Sequence, residues 1–231
     1  MVHGGLRYLA MGDIALTKHS LHERERLLRE APGLVERMGY YFLLNKRKSP
    51  PKFGVKIVLW LYDIIAGVKY HRSIRLPELQ EKFKTLSISS LKAAFYYTDA
   101  ITDDSRLVQR VLQEAIDDGG AALNYSRVAK LLQGSAGEVQ GVVLEQGSEL
   151  LEIRAKVVVN ATGAWADVLR QQVQNEKRVR PLRGSHLVVD QKDLPVADAL
   201  ALTHPQDNRS TFIFPWENRT VIGTTDLDHT I

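Results

Sequence analysis

The run Ala155, Lys156, Val157, Val158, Val159, Asn160 constrains the fold more than any other stretch of this chain. It is β-branched and apolar enough to be buried on both faces, which is how a strand inside a parallel sheet reads. It leads straight into Ala161-Thr162-Gly163-Ala164 and then into a helix predicted to begin near Trp165. A strand that turns into a helix through small residues is where an α/β fold brings backbone close to a nucleotide. Taken alone, Thr162-Gly163 also reads as a plain tight turn between strand and helix.

From Lys92 onward, strands and helices alternate around this run. Residues 94–97 read as a strand, and Asp103 and Asp104 open a helix that runs to Asp118 and stops at Gly119-Gly120. Its acidic first turn complements the helix dipole, and paired glycines suit its end. Residues 121–125 are predicted as a strand, and residues 128–132, 139–145 and 150–153 as short strands joined at Gly134, Gly137 and Gly147. Further strands are predicted at 185–189, 211–216 and 220–225, the last two separated by Glu217-Asn218-Arg219. The fold class is therefore α/β of a mixed α+β kind, with a nucleotide-binding half interleaved with a second, sheet-rich half.

The first part of the chain differs. Residues 13–30 set Ile14, Leu16, Leu21, Leu27 and Leu28 among charges, an amphipathic helix stopped by Pro32-Gly33. Residues 40–44 form a short apolar strand. Residues 53–66, with Trp60 and Tyr62, read as a mostly apolar helix, too short for a bilayer span of about 20 residues. Ile57, Leu61 and Ile64 are expected to face a core while Lys52 and Lys56 are solvated. The adjacent Lys46-Arg47-Lys48 keeps open a second reading, a helix resting on a membrane surface.

Charge follows the same division. Residues 1–90 hold 16 Lys and Arg against 8 Asp and Glu, whereas residues 91–231 hold 15 against 19. A basic segment suits an anionic substrate, an anionic membrane or nucleic acid. No helix-turn-helix, zinc-finger or RNA-binding signature accompanies it, so nucleic acid ranks last and is not expected as a partner. With 44% hydrophobic and 25% charged residues the chain can bury one or two cores. The absence of cysteine excludes disulfides, thiolate metal sites and cysteine nucleophiles, and no metal is expected. The start lacks a basic region followed by an apolar run, so no signal peptide is expected.

The chemistry concentrates in His3-Gly4-Gly5-Leu6-Arg7-Tyr8-Leu9. Glycines without Cβ allow close approach to the backbone, and arginine offers a planar, always-charged fork for phosphate or carboxylate. That pattern suggests a site for a phosphorylated substrate, although Gly4-Gly5 also reads as an ordinary turn with Arg7 solvated. In chain order, this segment, residues 160–165 (Asn-Ala-Thr-Gly-Ala-Trp), Arg183-Gly184-Ser185-His186 and Ile222-Gly223-Thr224-Thr225-Asp226 together resemble the FAD-dependent glycerol-3-phosphate dehydrogenases of the aerobic, respiratory type and their oxidase relatives.

The resemblance implies a truncated two-domain FAD-dependent oxidoreductase of the D-amino-acid-oxidase type, with part of a Rossmann-like FAD domain and a mixed-sheet substrate domain. It assigns residues 1–90 to a flavin- and substrate-proximal loop and helical segment, 91–180 to the rest of the FAD-binding domain, and 181–231 to the substrate-domain sheet. Family members carry a glycine-rich phosphate turn ahead of the His-Gly-Gly segment and further substrate-binding residues downstream. No G-x-G-x-x-G string occurs here, and the chain is expected to be an internal fragment, inactive alone and weak or deficient in FAD binding.

By the same resemblance, His3 and Arg7 are the catalytic candidates, His3 as base and Arg7 as partner of the substrate phosphate. Tyr8 and Thr225 are substrate-side contacts. Gly4, Gly5 and Leu6 pass close to the isoalloxazine, Val128 meets the adenine through its backbone, and Ala161, Thr162 and Gly163 cover the dinucleotide. Trp165 is expected to anchor its helix, and His186 to be structural. The implied reaction converts sn-glycerol 3-phosphate to dihydroxyacetone phosphate, with electrons passed through FAD to a quinone or, in oxidase relatives, to oxygen. The implied location is cytoplasmic, peripheral on the inner face of the membrane, and a homodimer is open. Two alternatives stand beside it: another FAD-dependent amine or hydroxy-acid oxidase of the same fold, and a non-catalytic anion- or membrane-binding module.

Overall fold

The computed structural model describes residues 1–46, 49–204, 209–225 and 227–229. In chain order its elements are α1 (Leu6–Ala10), α2 (Ile14–Glu30), β1 (Val35–Asn45), α3 (Lys52–Ala66), β2 (Arg72–Ile74), α4 (Leu76–Lys82), β3 (Leu91–Thr102), α5 (Asp104–Asp117), β4 (Arg127–Gln133), β5 (Val139–Gln146), β6 (Glu149–Arg154), a 3-10 turn (Gly163–Trp165), α6 (Ala166–Arg170), β7 (Leu182–Arg183), β8 (His186–Asp190), β9 (Ala199–Thr203), β10 (Ser210–Trp216), β11 (Arg219–Gly223) and β12 (Leu227–Asp228). They fall into two compact units, Met1–Val111 with Gly184–Thr225, and Leu112–Arg183 with the residues after Thr225.

The first unit is built on a seven-stranded mixed sheet in the order β2-β3-β1-β9-β10-β11-β8. Its backbone is the long antiparallel pair β1 and β3, in unbroken register from Val35 opposite Thr102 to Leu44 opposite Ala93. Next to it, β1 and β9 run parallel, Tyr40 to Phe42 facing Ala199 to Ala201. Successive side chains of a strand point to opposite faces, and β1 uses this to feed two cores. Tyr40 and Leu44 pack with Leu59, Tyr62, Phe95 and Tyr97, beneath α3 and Leu21 of α2. Tyr41 and Leu43 pack on the other face with Leu79, Phe83, Ala94 and Leu200. Asp13 caps α2, its carboxylate accepting the Leu16 amide at 3.0 Å. In the second unit, β4, β5 and β6 form an antiparallel meander, and β7 pairs with β12.

Several sequence expectations are met and several are corrected. The helices over 13–30, 53–66 and 103–118 and the strands over 128–132, 139–145 and 150–153 are present. The strands expected at 40–44 and 94–97 extend to Val35–Asn45 and Leu91–Thr102, because each gains the other as a partner. The strand expected at 121–125 is absent: these residues are exposed, and Tyr125 adopts a left-handed φ of 53°. Residues 155–160 are not a strand either, and Val157 and Val159 are 74% and 83% exposed. A strand exists only through its ladder, and beyond the Ala155 amide, which donates to the Gln140 carbonyl of β5 at 2.9 Å, this run forms no ladder with a described strand, so Val157 and Val159 meet no cover.

On α3 the buried face is Val55, Leu59, Tyr62 and Asp63, while Ile57 and Ile64 are 40% and 53% exposed rather than in a core. Leu61, by contrast, is half-buried and packs against the core as expected; apolar residues occupy both sides of this helix, so periodicity alone does not separate inner from outer positions. Lys52 and Lys56 are exposed as expected. The strand β9 was missed because Ala199-Leu200-Ala201-Leu202 has no β-branched residue, although Ala199, Leu200 and Ala201 are all buried. Arg47 and Lys48 of the basic cluster, and Asp226 of the fourth motif, lie outside the described residues.

Helix α5 buries none of its residues, and Val108, Val111, Leu112 and Ile116 form a stripe on one face, each at least 45% exposed. Such an uncovered stripe drives association. The double substitution Val108→Lys with Ile116→Lys is expected to reduce self-association in sedimentation velocity while moving stability by no more than about 0.5 kcal/mol, the usual scale for surface changes. Unchanged self-association would show that this face is not responsible.

Candidate functional site

The His-Gly-Gly segment is fixed to the sheet by its backbone. Val2 and Ala100 exchange two backbone hydrogen bonds, at 2.9 and 3.0 Å, next to the buried Asp99 of β3. Oδ1 of Asp99 accepts the Gly4 amide at 2.9 Å, the Tyr62 hydroxyl at 2.7 Å and Nη1 of Arg24 at 2.5 Å. Loop, α3 and α2 thus converge on one oxygen. Arg24 is fully buried, and Nη1 also donates to the Thr98 carbonyl at 3.1 Å.

This arrangement explains the two glycines by packing. A Cβ on Gly4 would collide with Leu21 and with the Tyr62 hydroxyl. Gly5 has φ +75°, a left-handed conformation, and a side chain there would meet the Tyr8 ring. From Gly5 the short helix α1 turns Leu9 into the core and Leu6 to its margin, while Arg7 and Tyr8 face outward. His3 is exposed, its Nδ1 accepts the Gly5 amide at 3.2 Å, and its ring lies 6.4 Å from that of Tyr8. His3, Arg7 and Tyr8 are therefore all exposed, on a segment whose backbone is anchored to the buried Asp99.

Burial alone would depress the Arg24 pKa, but the Asp99 carboxylate, with Tyr62 and Glu25, outweighs it and holds the pKa raised. Burial, reinforced by Asp99, pushes the Tyr62, Tyr40 and Tyr97 phenols up, so all three stay protonated. Glu25 links this cluster to the surface, accepting from Arg24 at 2.6 Å and from Arg37 at 2.6 Å. Burial would raise its pKa, yet the bonds from Arg37 and Arg24 prevail and lower it below its ordinary value.

Thr225 lies elsewhere on the same sheet, beyond the end of β11, four strand positions from β3. Its Oγ1 accepts the Ser185 amide at 2.8 Å, and its own amide donates to the Ser185 carbonyl at 3.2 Å. His186 opens β8 opposite Gly223, where a Cβ would strike the imidazole, in keeping with a structural role.

In the second unit, Val128 is half-buried in β4 opposite Leu144. Ala161, Thr162 and Gly163 are exposed and are clasped by Asn160, whose Oδ1 accepts the Thr162 hydroxyl at 2.8 Å and whose Nδ2 donates to the Ala166 carbonyl at 2.8 Å. Gly163 has φ +57°. Trp165 is 62% exposed rather than packed as an anchor. A loop of small, exposed residues held by one asparagine suits the wall of a dinucleotide site, so these residues fit part of an FAD cradle. Among the described residues no group of His, Asp or Glu has the makings of a metal site, and no helix is long and apolar enough to cross a membrane.

The family described as FAD dependent oxidoreductase matches residues 1–230. The aerobic glycerol-3-phosphate dehydrogenase of Bacillus subtilis is 34% identical over 98% of this chain, and the alpha-glycerophosphate oxidase of Enterococcus casseliflavus is 34% identical over all of it. The chain spans only 42% and 40% of those two proteins. The crystal structure of the glycerol-3-phosphate dehydrogenase from Bacillus halodurans, complexed with FAD, superposes with a TM-score of 0.72 at 29% identity, over 93% of this chain and 39% of that one. Glycine oxidase from Bacillus cereus shares the fold, with a TM-score of 0.67 at 22% identity over 100% of this chain and 59% of its own.

Two tests address the anchor. Asp99→Ala leaves the buried Arg24 with Glu25 as its only acid among the described residues and removes the acceptor of Gly4 and Tyr62, and is expected to cost about 3–5 kcal/mol in urea unfolding. The pair Arg24→Met with Asp99→Leu removes both charges and is expected to recover most of that loss while exposing the Gly4 amide to hydrogen exchange. Equal instability of single and double variants would show that charge burial is not the cause. Because the folded pKa of Glu25 is lowered, its stabilisation is full above the ordinary value near 4.5 and fades as pH falls through the folded value. The stability gap between the wild type and Glu25→Gln is therefore expected to be constant at neutral pH and to close in acid, and a pH-independent gap would contradict this origin.

Proposed function

The chain belongs to the FAD-dependent oxidoreductase family, and from that membership we propose that it forms the substrate-side part of an enzyme that oxidises sn-glycerol 3-phosphate to dihydroxyacetone phosphate and passes electrons to a quinone. The observation that carries this reading is the exposure of His3, Arg7 and Tyr8 beside Gly4 and Gly5, whose backbone is buried and bonded at Gly4 to Asp99. The relatives that match nearly the whole chain support the same substrate.

Bound FAD supplies a hydride acceptor for carbon 2 of the substrate. The chain's own residues do the rest. Arg7 pairs with the substrate phosphate through its planar fork, and Tyr8 and Thr225 contribute hydroxyls to the substrate. Gly4, Gly5 and Leu6 pass the flavin ring, Val128 meets the adenine by its backbone, and Ala161, Thr162 and Gly163 wall the dinucleotide.

His3 receives the proton of the substrate hydroxyl. Nδ1 accepts the Gly5 amide, so the neutral ring carries its proton on Nε2. The outward apolar side of α3 and the basic N-terminal segment support a peripheral position at the inner face of a membrane, where a quinone would be available.

The chain alone, equilibrated with FAD and freed of excess cofactor, is expected to retain little flavin absorbance. Grafted in place of the matching part of the Bacillus subtilis relative, it is expected to support anaerobic bleaching of flavin by glycerol 3-phosphate. In that graft, His3→Ala slows bleaching by about 10²–10⁴, and Arg7→Met raises KM more than it lowers kcat. Bleaching by glycine and not by glycerol 3-phosphate would overturn the substrate assignment, and an unchanged rate in His3→Ala would remove the base.

A further inference from the structure

Two successive residues of β3 bracket His3. On one side Val2 exchanges two backbone hydrogen bonds with Ala100, and on the other the Gly4 amide donates to Oδ1 of Asp99 at 2.9 Å. The imidazole is tied in as well, its Nδ1 accepting the Gly5 amide at 3.2 Å. Arg7 and Tyr8 are held differently, as part of the short helix α1, which is seated in the core by Leu9.

The acceptor in this bracket belongs to a buried ion pair. Taken out of water, a pair such as Arg24 and Asp99 contributes little net stability, and two apolar side chains of similar volume would hold α2 against β3 as well or better. Apolar side chains, however, cannot accept a hydrogen bond. Oδ1 of Asp99 takes three donors at once, from Gly4, Tyr62 and Arg24, and a carboxylate oxygen, which accepts and never donates, suits that convergence. Arg24 holds the carboxylate in place: Nη1 donates to Asp99 and to the Thr98 carbonyl, while Nε and Nη2 are engaged by Glu25.

We propose that Asp99 and Arg24 are positioning residues for the oxidation and act through His3: Arg24 fixes Asp99, Asp99 fixes the Gly4 amide, and the adjoining imidazole is thereby set at the substrate hydroxyl. The proposal rests on the glycerol 3-phosphate reading above, with His3 as base, and adds to it two buried residues that the substrate does not reach. Their effect falls on the rate of flavin reduction more than on substrate affinity, because the phosphate partner Arg7 is carried by α1, which keeps its own seat in the core. A displacement of about 1 Å at a reacting group costs about 10²-fold in rate.

The test uses the graft into the Bacillus subtilis relative, mixed anaerobically with glycerol 3-phosphate, with flavin bleaching followed per bound flavin. Two double variants both remove the buried charges. Arg24→Met with Asp99→Leu fills the site but offers Gly4 no acceptor, whereas Arg24→Gln with Asp99→Asn keeps a side-chain carbonyl at the position of Oδ1. The first is expected to melt near the wild type and yet to bleach about 10–100-fold more slowly at saturating substrate, with KM little changed. The second is expected to recover most of that rate. Hydrogen exchange over residues 1–9 is expected to quicken in the first variant and to stay near the wild type in the second. In a His3→Ala background the first pair is expected to slow bleaching no further, because the group it positions is gone.

A wild-type rate in Arg24→Met with Asp99→Leu would overturn the positioning role while leaving the substrate and base assignments intact. Equal slowing in the two double variants would assign the effect to lost charge and overturn the role of the Gly4 acceptor. A loss confined to KM, or further slowing in the His3→Ala background, would show that the pair does not act through His3. A wild-type graft whose flavin glycerol 3-phosphate does not bleach would remove the underlying reading and the positioning role with it.

Discussion

A single carboxylate oxygen, Oδ1 of Asp99, organises the first unit. Donors from the N-terminal loop, α2 and α3 meet on it within 2.9 Å. A buried charge pair of this kind contributes little net stability, because desolvation offsets most of the attraction. What it provides is position. Asp99 is fixed by the β1–β3 ladder, the Gly4 amide is fixed by Asp99, and two residues further on the chain turns into α1 with Arg7 and Tyr8 facing out. The outward side chains thus inherit the rigidity of the sheet through three short bonds.

That anchor was not legible in the sequence. Arg24 reads as one more charge on an amphipathic helix, and nothing in the spacing of residues 24, 62 and 99 announces that they meet. Elements with a local signature were legible: the Pro32-Gly33 and Gly119-Gly120 stops, and the turns that separate β4, β5 and β6. The failures share one cause. Residues 155–160 have every local property of a buried strand, and α3 has apolar residues on two sides; in both cases the deciding fact is which surface lies opposite, and that is not a local property. The converse holds for β9, where modest propensity is overridden by neighbours on both edges.

The glycine pair of the His-Gly-Gly segment answers a packing requirement of the scaffold. Whatever ligand they meet, Leu21, Tyr62 and Tyr8 already exclude a side chain at both positions. The same substitution would disturb the anchor before it disturbed any cofactor. Motif glycines of this kind therefore report on the scaffold as well as on the site.

The parallel pair β1–β9 has a further consequence for how the chain is made. Tyr40 and Ala199 are neighbours in the sheet, but the ribosome delivers them about 160 residues apart, a delay of roughly 8–30 s at typical elongation rates. During that interval one edge of β1, bearing Tyr40 and Phe42, has no strand to pair with, and the inserted second unit is synthesised while it waits. The sheet is closed by the last fifth of the chain. A non-local closure of this kind is intrinsically slow, and it leaves the growing polypeptide with an unpaired strand edge open to other chains until its last segment emerges.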